Sequence, residues 1–167
     1  VLGILQRNLS TCNSLTKERA YTSIVHPLLN YSTTTWFPYL KKDVAAIESI
    51  QRKAARFVMT DYRRTSSVSA MLQQLNWIAL EKQRLINDIV FFYKIENKLM
   101  NIDFPPEVQM YHRSGRLHHQ SNYRQVSTRI NTYIKNSFFV RTIPLWNKLP
   151  ACIINAPNVL SFKEQAT

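Results

Sequence analysis

Glycine and cysteine are both scarce in this chain of 167 residues. The glycines are Gly3 and Gly115, whereas a dinucleotide-binding fingerprint or a phosphate-binding P-loop needs several glycines close together. Both kinds of nucleotide site are therefore excluded. The cysteines, Cys12 and Cys152, are far apart and lack a metal-type spacing, which predicts a reduced, intracellular setting.

Catalytic motifs are missing as well. The sequence has no adjacent pair of acidic residues and no His-Glu-x-x-His, Gly-x-Ser-x-Gly or Cys-x-x-Cys stretch. His112, His118 and His119 lie close together, but cysteines and carboxylates at ligand spacing are missing nearby, which favours solvated loop histidines over a metal site. We therefore predict no cofactor and no catalytic residue in this chain.

Long apolar runs are also absent. Residues 21–40 carry no charge, but they include two prolines and six serines or threonines, which makes them too polar to span a membrane. The chain as a whole is 45% hydrophobic and 11% aromatic, which is enough apolar surface for a core and argues against wholesale disorder. We expect an ordered chain without a membrane partner.

Negative charge is the remaining scarcity. The chain has 22 Lys and Arg against 10 Asp and Glu, so its formal net charge is +12. No acidic residue occurs between Glu107 and Glu164, a stretch that contains eight basic residues. An acid-free basic tract of this length favours a polyanionic partner over a surface whose charge only confers solubility.

Apolar residues at helical spacing predict a mainly α fold. Residues 1–100 are predicted to form a helical bundle. Residues 101–122 combine paired prolines, a Ser-Gly pair and histidines, which indicates a linker or an extended loop. Residues 123–167 are predicted to be a basic extension with short strands and one or two short helices.

Two long helices are predicted within the bundle. One runs from near Asp43 to about Tyr62, and the other covers Leu80–Met100. The second helix has apolar residues on more than one face, so it should be buried on more than one side, with Arg84 among its exposed charges.

Basic side chains cluster on the first of these helices. Arg52, Lys53 and Arg56 fall within an arc of about 100° opposite the apolar face. Cations spaced along a helix can meet successive phosphates, and each contact releases counterions. In the basic extension and the loop before it, aromatic rings alternate with cations, which suits unpaired bases and phosphates. The candidate nucleic-acid-binding residues are Lys41, Lys42, Arg52, Lys53, Arg56, Arg63, Arg64, Arg113, Arg116, Tyr123 and Arg124.

Each of these assignments has a structural alternative. The cations of the helix can form an ordinary solvent-exposed face, and the aromatic rings of the tail can be buried. The sequence leaves both alternatives open.

Seven short stretches of the sequence are informative when their order and spacing are considered together. They are LGILQRNL (2–9), HPLLNY (26–31), IESIQRKAARFV (47–58), DYRRTSSVSAML (61–72), LNWIALEKQR (75–84), SFFVRTIPLWNKLP (137–150) and LSFK (160–163). In their order and spacing they resemble the region that follows the polymerase palm in non-LTR (LINE-type) retrotransposon reverse transcriptases, especially the jockey-like ones. The resemblance covers nearly the whole chain.

This resemblance implies a thumb, a helical bundle that grips the template–primer duplex through its backbone, over residues 1–100. Arg52, Lys53 and Arg56 would lie near the nucleic acid. The region from about Asn101 onwards would be a C-terminal extension suited to template RNA or target DNA.

The resemblance also implies what lies outside this segment. The catalytic fingers and palm, with an Asp-Asp site that holds Mg²⁺, would precede it, and the segment alone would not polymerise DNA. Its implied partners are an RNA–DNA hybrid and the upstream palm of the same polyprotein.

A second hypothesis belongs to another class. The chain would be a non-catalytic helical module for protein interaction, or an inactive relic of a transposable element, whose charge only confers solubility. Leu80–Met100 would then expose an apolar patch. A chain without affinity for nucleic acid would favour this hypothesis.

Overall fold

Helices make up most of the computed structural model, which describes residues 1–110, 121–125 and 136–166. A mainly α fold is therefore confirmed. Within these described residues the helices are α1 (Leu2–Asn8), α2 (Ser14–Ala20), α3 (His26–Asn30), α4 (Lys41–Met59), α5 (Val68–Gln74), α6 (Leu80–Glu96), α7 (Phe138–Trp146), α8 (Ala151–Ile154) and α9 (Val159–Ala166), with a π-helical turn (Tyr21–Val25) between α2 and α3.

The short strands predicted for the C-terminal extension are not found in the part of it that the structure describes. The described residues contain one isolated antiparallel bridge, between Met110 and Tyr123. Most of the stretch for which strands were predicted, residues 126–135, lies outside the described residues.

The chain divides into two compact units. Unit 1 comprises Val1–Ser32 and Pro38–Gln83, and unit 2 comprises Thr33–Phe37 and Arg84–Thr167. The division falls inside α6, whereas the sequence predicted a change of domain after residue 100. The difference arises because apolar residues of the C-terminal half of α6 share a core with residues beyond 104.

In unit 1, side-chain caps start two of the helices. The Asn13 side chain accepts a hydrogen bond from the Thr16 N–H at 2.8 Å and so caps α2. Ser67 caps α5 by accepting from the Ala70 N–H. These caps fix where the two helices begin. The small core of unit 1 is formed by Tyr21, Val25 and Ala54.

The π-helical turn lies directly before Pro27. Proline has no N–H to donate to the carbonyl of Ser23, four residues earlier, so the regular helical ladder cannot pass through this point. Tyr21 and Val25, at the two ends of the turn, are both buried. The Tyr21 ring stacks on Trp77, with centroids 4.4 Å apart.

Several helices end in a residue with positive φ. Thr60, with φ 53°, follows α4, and Ser32, Asn76 and Lys98 follow α3, α5 and α6 with similar values. Glycine usually takes this left-handed conformation at helix ends because it has no Cβ. With glycine so scarce, other residues adopt it here.

The core of unit 2 is aromatic. The Phe92 ring lies 5.2 Å from the ring of Tyr123 and 4.8 Å from that of Trp146, and Tyr93 stacks on Phe162. The Trp146 indole N–H donates to the carbonyl of Ser121 at 2.9 Å. The prediction that α6 is buried on more than one face is confirmed by the burial of Ile86, Phe92 and other residues around it.

Two charged residues of α6 are buried in unit 2. Arg84, which was expected to be exposed, is only 1% exposed, and its guanidinium lies 5.8 Å from the centroid of the Trp36 ring. That expectation was wrong because Thr33–Phe37 belongs to the same unit and covers this side chain. Asp88 is fully buried and forms an ion pair with Arg141, whose Nε donates to Asp88 Oδ2 at 2.8 Å.

Arg141 also holds the surrounding backbone. It donates to the carbonyls of Thr34 at 2.7 Å and Asn136 at 2.9 Å, and its guanidinium lies 4.7 Å from the centroid of the Phe37 ring. Burial raises the pKa of Asp88, and the hydrogen bonds and charge of Arg141 oppose that rise. Asp88 and Arg141 therefore act as one structural clamp.

Candidate nucleic-acid interface

Four of the predicted cations form one basic face on α4. This face, defined as Lys41, Lys42, Arg52 and Lys53, covers an arc of about 120° at 100° per residue. All four side chains are exposed, and none pairs with another residue in the described part of the chain. On the opposite side of the helix, Ala54 and Val58 are buried in unit 1. The helix is thus anchored through one side and presents cations on the other.

The spacing of the basic face suits a phosphate backbone. Arg52 is eleven positions after Lys41, which is about 16 Å at a rise of roughly 1.5 Å per residue. That length spans roughly five phosphates of one duplex strand at about 3.4 Å each. Ala45 and Ala46, between the cations, are exposed and small, so they leave room for the close approach of a strand.

An acidic residue of α4, four positions before Arg52, is engaged elsewhere. Glu48 accepts a hydrogen bond from the Glu81 backbone N–H at 2.8 Å, so its carboxylate lies at the N-terminus of α6. A carboxylate at this position satisfies an otherwise unpaired N–H and the positive end of the helix dipole. The cations of the basic face are therefore not neutralised by this neighbour.

Arg56, the third cation of the predicted row, has a structural role. Its guanidinium donates to the backbone carbonyl of Arg63 at 2.8 Å, and also to the carbonyls of Asp61 and Ser66 at 3.4 and 3.5 Å. The side chain is half-buried in the loop that follows α4. These hydrogen bonds use part of the donor capacity of the guanidinium, and the phosphate contact of Arg56 stays a prediction.

The loop after α4 is closed by a second set of contacts. Asp61 accepts from the Arg63 guanidinium at 3.0 Å and from the Ser66 hydroxyl at 2.6 Å. The hydrogen bond from Arg63 makes the largest contribution, followed by the one from Ser66, and together they hold the pKa of Asp61 well below its usual range. Arg63 is thus partly neutralised, while Arg64 is exposed and pairs with no other described residue. Within the loop, Arg64 is the better placed of the two for a phosphate.

The nucleic-acid-binding residues predicted beyond residue 110 differ in where the structure places them. Tyr123 is only 5% exposed, packs in the aromatic core of unit 2 and donates its hydroxyl to Glu96. Burial, followed by the contact with Glu96, raises the pKa of Tyr123. Its interpretation as a platform for bases is therefore corrected, because the ring is covered by other rings. Arg124 is exposed, and Arg113 and Arg116 lie outside the described residues.

One neighbour of the basic face was not among the predicted residues. Tyr39 is 52% exposed and lies two residues before Lys41. An aromatic ring beside cations is a combination that binds unpaired bases. The available signal was local, since Tyr39 closes an uncharged aromatic stretch directly before a pair of lysines.

Two other kinds of feature are absent from the described residues. These residues contain no group of three or more His, Cys, Asp or Glu that could hold a metal ion, and no helix long and apolar enough to cross a membrane. His112, His118 and His119 lie outside them. In comparisons with known proteins, no family model, curated protein or solved structure matches this chain.

Proposed function

We propose that this chain grips nucleic acid through the phosphate backbone, as the thumb-like region of a non-LTR retrotransposon reverse transcriptase. The observation that carries the proposal is the basic face, whose four cations are exposed and have no partner among the described residues, on a helix whose other side is core. The family assignment rests on the resemblance of the seven stretches described above.

The chemistry of this face favours backbone contacts without base readout. Lysine and arginine side chains that neutralise phosphates release counterions, and the resulting affinity depends steeply on salt and weakly on sequence. A rigid helix adds a fixed spacing, which suits a regular duplex such as an RNA–DNA hybrid. Polymerisation, and the Mg²⁺ that it needs, would belong to an upstream palm.

The proposal is tested by the salt dependence of binding. The dissociation constant of the full chain for a short RNA–DNA hybrid is measured between about 50 and 200 mM salt. We expect the quadruple variant K41A/K42A/R52A/K53A to bind more weakly and to lower the slope of log K against log salt by up to about four. A matched control, R7A/R19A/K98A/K148A, removes the same charge from exposed positions outside α4.

Two outcomes contradict the proposal. One is an affinity that does not respond to salt. The other is an equal loss of affinity in the two quadruple variants, because general charge and not the basic face would then account for binding.

A second candidate function, a non-catalytic interaction module, is favoured by exposed apolar residues in unit 1. Ile4, Ile24 and Leu28, on α1, the π-helical turn and α3, are 52%, 47% and 58% exposed. The patch expected on Leu80–Met100 is reduced to Leu99, since most of the apolar residues of α6 are buried or half-buried. Failure of the chain to bind hybrid, single strand or duplex would favour this second candidate.

A further inference from the structure

A cleft of about 780 Å³ lies in unit 1, between the end of α4 and α5. This loop cleft is lined by both helices and by the loop that joins them, and its walls include Met59, Tyr62, Arg63, Met71 and Gln74. Its volume falls within the roughly 300–1,000 Å³ that is usual for ligand sites. The sequence stretch DYRRTSSVSAML (61–72) therefore forms much of the wall of a concave site.

Tyr62 provides an accessible aromatic ring in the loop cleft. The residue is 61% exposed, and its ring contacts no other aromatic ring among the described residues. Met59 also lines the cleft and is half-buried, and a flexible thioether adapts well to a neighbouring ring. Nucleic-acid bases stack on exposed aromatic side chains whatever their identity, because every base has a π-face. A base in the loop cleft can therefore stack on Tyr62 without displacing a core residue.

The two residues after Tyr62 offer donors to a phosphate. Arg63 donates to Asp61 through Nε and Nη2, which leaves its Nη1 without a partner among the described residues. Arg64 is exposed and pairs with no other described residue. A guanidinium binds phosphate oxygens through several N–H groups at once. Arg63, on the wall of the cleft, can thus contact the phosphate of a nucleotide whose base lies on Tyr62.

The charge around the loop cleft suits an anion. Asp61, which lines the cleft, accepts from the Arg63 guanidinium and the Ser66 hydroxyl, so its negative charge is compensated. The ammonium of Lys17 is only 3% exposed and donates at 3.0 Å to the hydroxyl of Thr60, which also lines the cleft. No carboxylate forms an ion pair with Lys17 in the part of the chain that the structure describes. These residues together leave a net positive charge for a phosphate.

The loop cleft follows the basic face along the same helix. Met59, at the cleft, is six residues after Lys53, which is about 9 Å along the helix axis at roughly 1.5 Å per residue. That distance corresponds to about three phosphates of one strand at roughly 3.4 Å each. A strand whose paired part lies along the basic face therefore needs only a few more nucleotides to reach the cleft.

We propose that the loop cleft binds an unpaired nucleotide of a strand whose paired part is held by the basic face. The base stacks on Tyr62, and Arg63 binds the phosphate. The exposed amide of Gln74 on the wall can donate or accept, so the cleft should hold any of the bases. This inference deepens the proposed function and rests on it for the paired part of the ligand, which becomes a junction between paired and unpaired nucleic acid.

The experiment compares ligands that differ only beyond the paired region. The dissociation constant of the full chain is measured for a blunt RNA–DNA hybrid and for the same hybrid with a short unpaired DNA overhang at its 3′ or its 5′ end. A further hybrid has an abasic overhang, which keeps the phosphates and lacks the bases. We expect one of the two overhangs to raise the affinity about fivefold or more, as for one stacked base, and its abasic form to lose most of that gain.

Variants test whether Tyr62 is the stacking residue. Tyr62→Ala should remove the gain from the overhang and leave the affinity for the blunt hybrid unchanged, whereas Tyr62→Phe, which retains the ring, should keep the gain. The matched control Tyr31→Ala removes another exposed tyrosine of unit 1 and should also keep it. Loss of the gain in Tyr39→Ala but not in Tyr62→Ala would overturn the inference, because the base would then lie at the other end of α4.

Three further outcomes would overturn the inference, and none of them needs a variant to fold. They are equal affinity for the blunt hybrid and both overhangs, a full gain from the abasic overhang, and binding of free uridine monophosphate as tight as that of the overhang hybrid. The last result would identify a site for free nucleotides. Binding of the blunt hybrid through the basic face without a gain from an overhang would sink the inference alone. A gain that depends on the base and on Tyr62, with an affinity that ignores salt and the basic face, would sink the proposed function alone.

Discussion

The two units carry the same formal charge, but some of their basic side chains have different surroundings. Each contains eleven basic and five acidic residues. In unit 1, the four cations of the basic face are exposed and unpaired among the described residues. In unit 2, Arg141 is enclosed by Asp88, two backbone carbonyls and the ring of Phe37. Net charge alone therefore does not locate a surface for polyanions, and the partners of each cation must be known.

The difference follows from where the acidic residues lie. Asp88 is in the core of unit 2, where an unpaired carboxylate would be very unfavourable, so a cation is required beside it. In unit 1, Glu48 accepts from a backbone N–H, and the cations of the basic face have no partner among the described residues. A cation next to a buried carboxylate stabilises the fold, whereas a cation without one remains open to solvent and ligands.

The largest effect should come from breaking the clamp of unit 2. Arg141→Met leaves Asp88 buried without its counter-charge, and loss of one partner of a buried pair costs about 3–5 kcal/mol. The free energy of unfolding is measured by urea denaturation. The double variant D88N/R141M removes the stranded charge and should recover part of the loss. If R141M alone were neutral, the clamp would not be structural.

The same variant should depend on pH. Without Arg141, burial alone acts on Asp88, so the folded-state pKa rises further above the unfolded value. The folded state then binds a proton more readily than the unfolded state, and stability falls as pH rises between these two pKa values. The deficit of R141M should therefore be smallest near the unfolded pKa of about 3.9 and complete above the folded one.

A smaller effect should separate two arginines of α4. Arg56→Ala removes charged hydrogen bonds to the loop after the helix, and we expect a loss of about 2 kcal/mol in the free energy of unfolding. Arg52→Ala, on the exposed face, should change stability by less than about 0.5 kcal/mol but weaken hybrid binding. Thermal or urea unfolding and a binding titration distinguish them. The reverse pattern would move the phosphate contact back to Arg56.

The smallest expected change in the free energy of unfolding concerns the residue at one helix N-terminus in each unit. Asn13→Ala removes a side-chain cap from α2 and should cost about 1 kcal/mol. Ser137 occupies the equivalent position before α7 but makes no side-chain cap, so Ser137→Ala should be close to neutral. Both are measured by urea denaturation. Equal losses would show that the two positions are not distinguished by capping.

Much of the helical order is predictable from local chemistry. Asn13 and Asn158 accept hydrogen bonds from backbone N–H groups at the starts of α2 and α9, as expected of side chains that prefer such positions. The apolar face of α4 was also correct, since Ala54, Phe57 and Val58 are buried. These features depend on neighbours within a turn or two along the chain.

The errors involve partners that are distant in sequence or irregular in structure. Arg84 is covered by a segment almost fifty residues earlier, and Tyr123 enters an aromatic core built from α6, α7 and α9. The hydrogen bonds of Arg56 to the loop after α4 were also not predicted, because the path of that loop has no periodic signal.

The four helix ends with positive φ have a consequence for how this sequence can change over generations. At Lys98, which is exposed and makes no side-chain pairing among the described residues, a change to glycine would remove the strain of a Cβ in the left-handed region. Thr60 differs, because its hydroxyl accepts from the buried Lys17 ammonium at 3.0 Å. Mutational drift towards glycine should therefore be tolerated at Lys98 and resisted at Thr60.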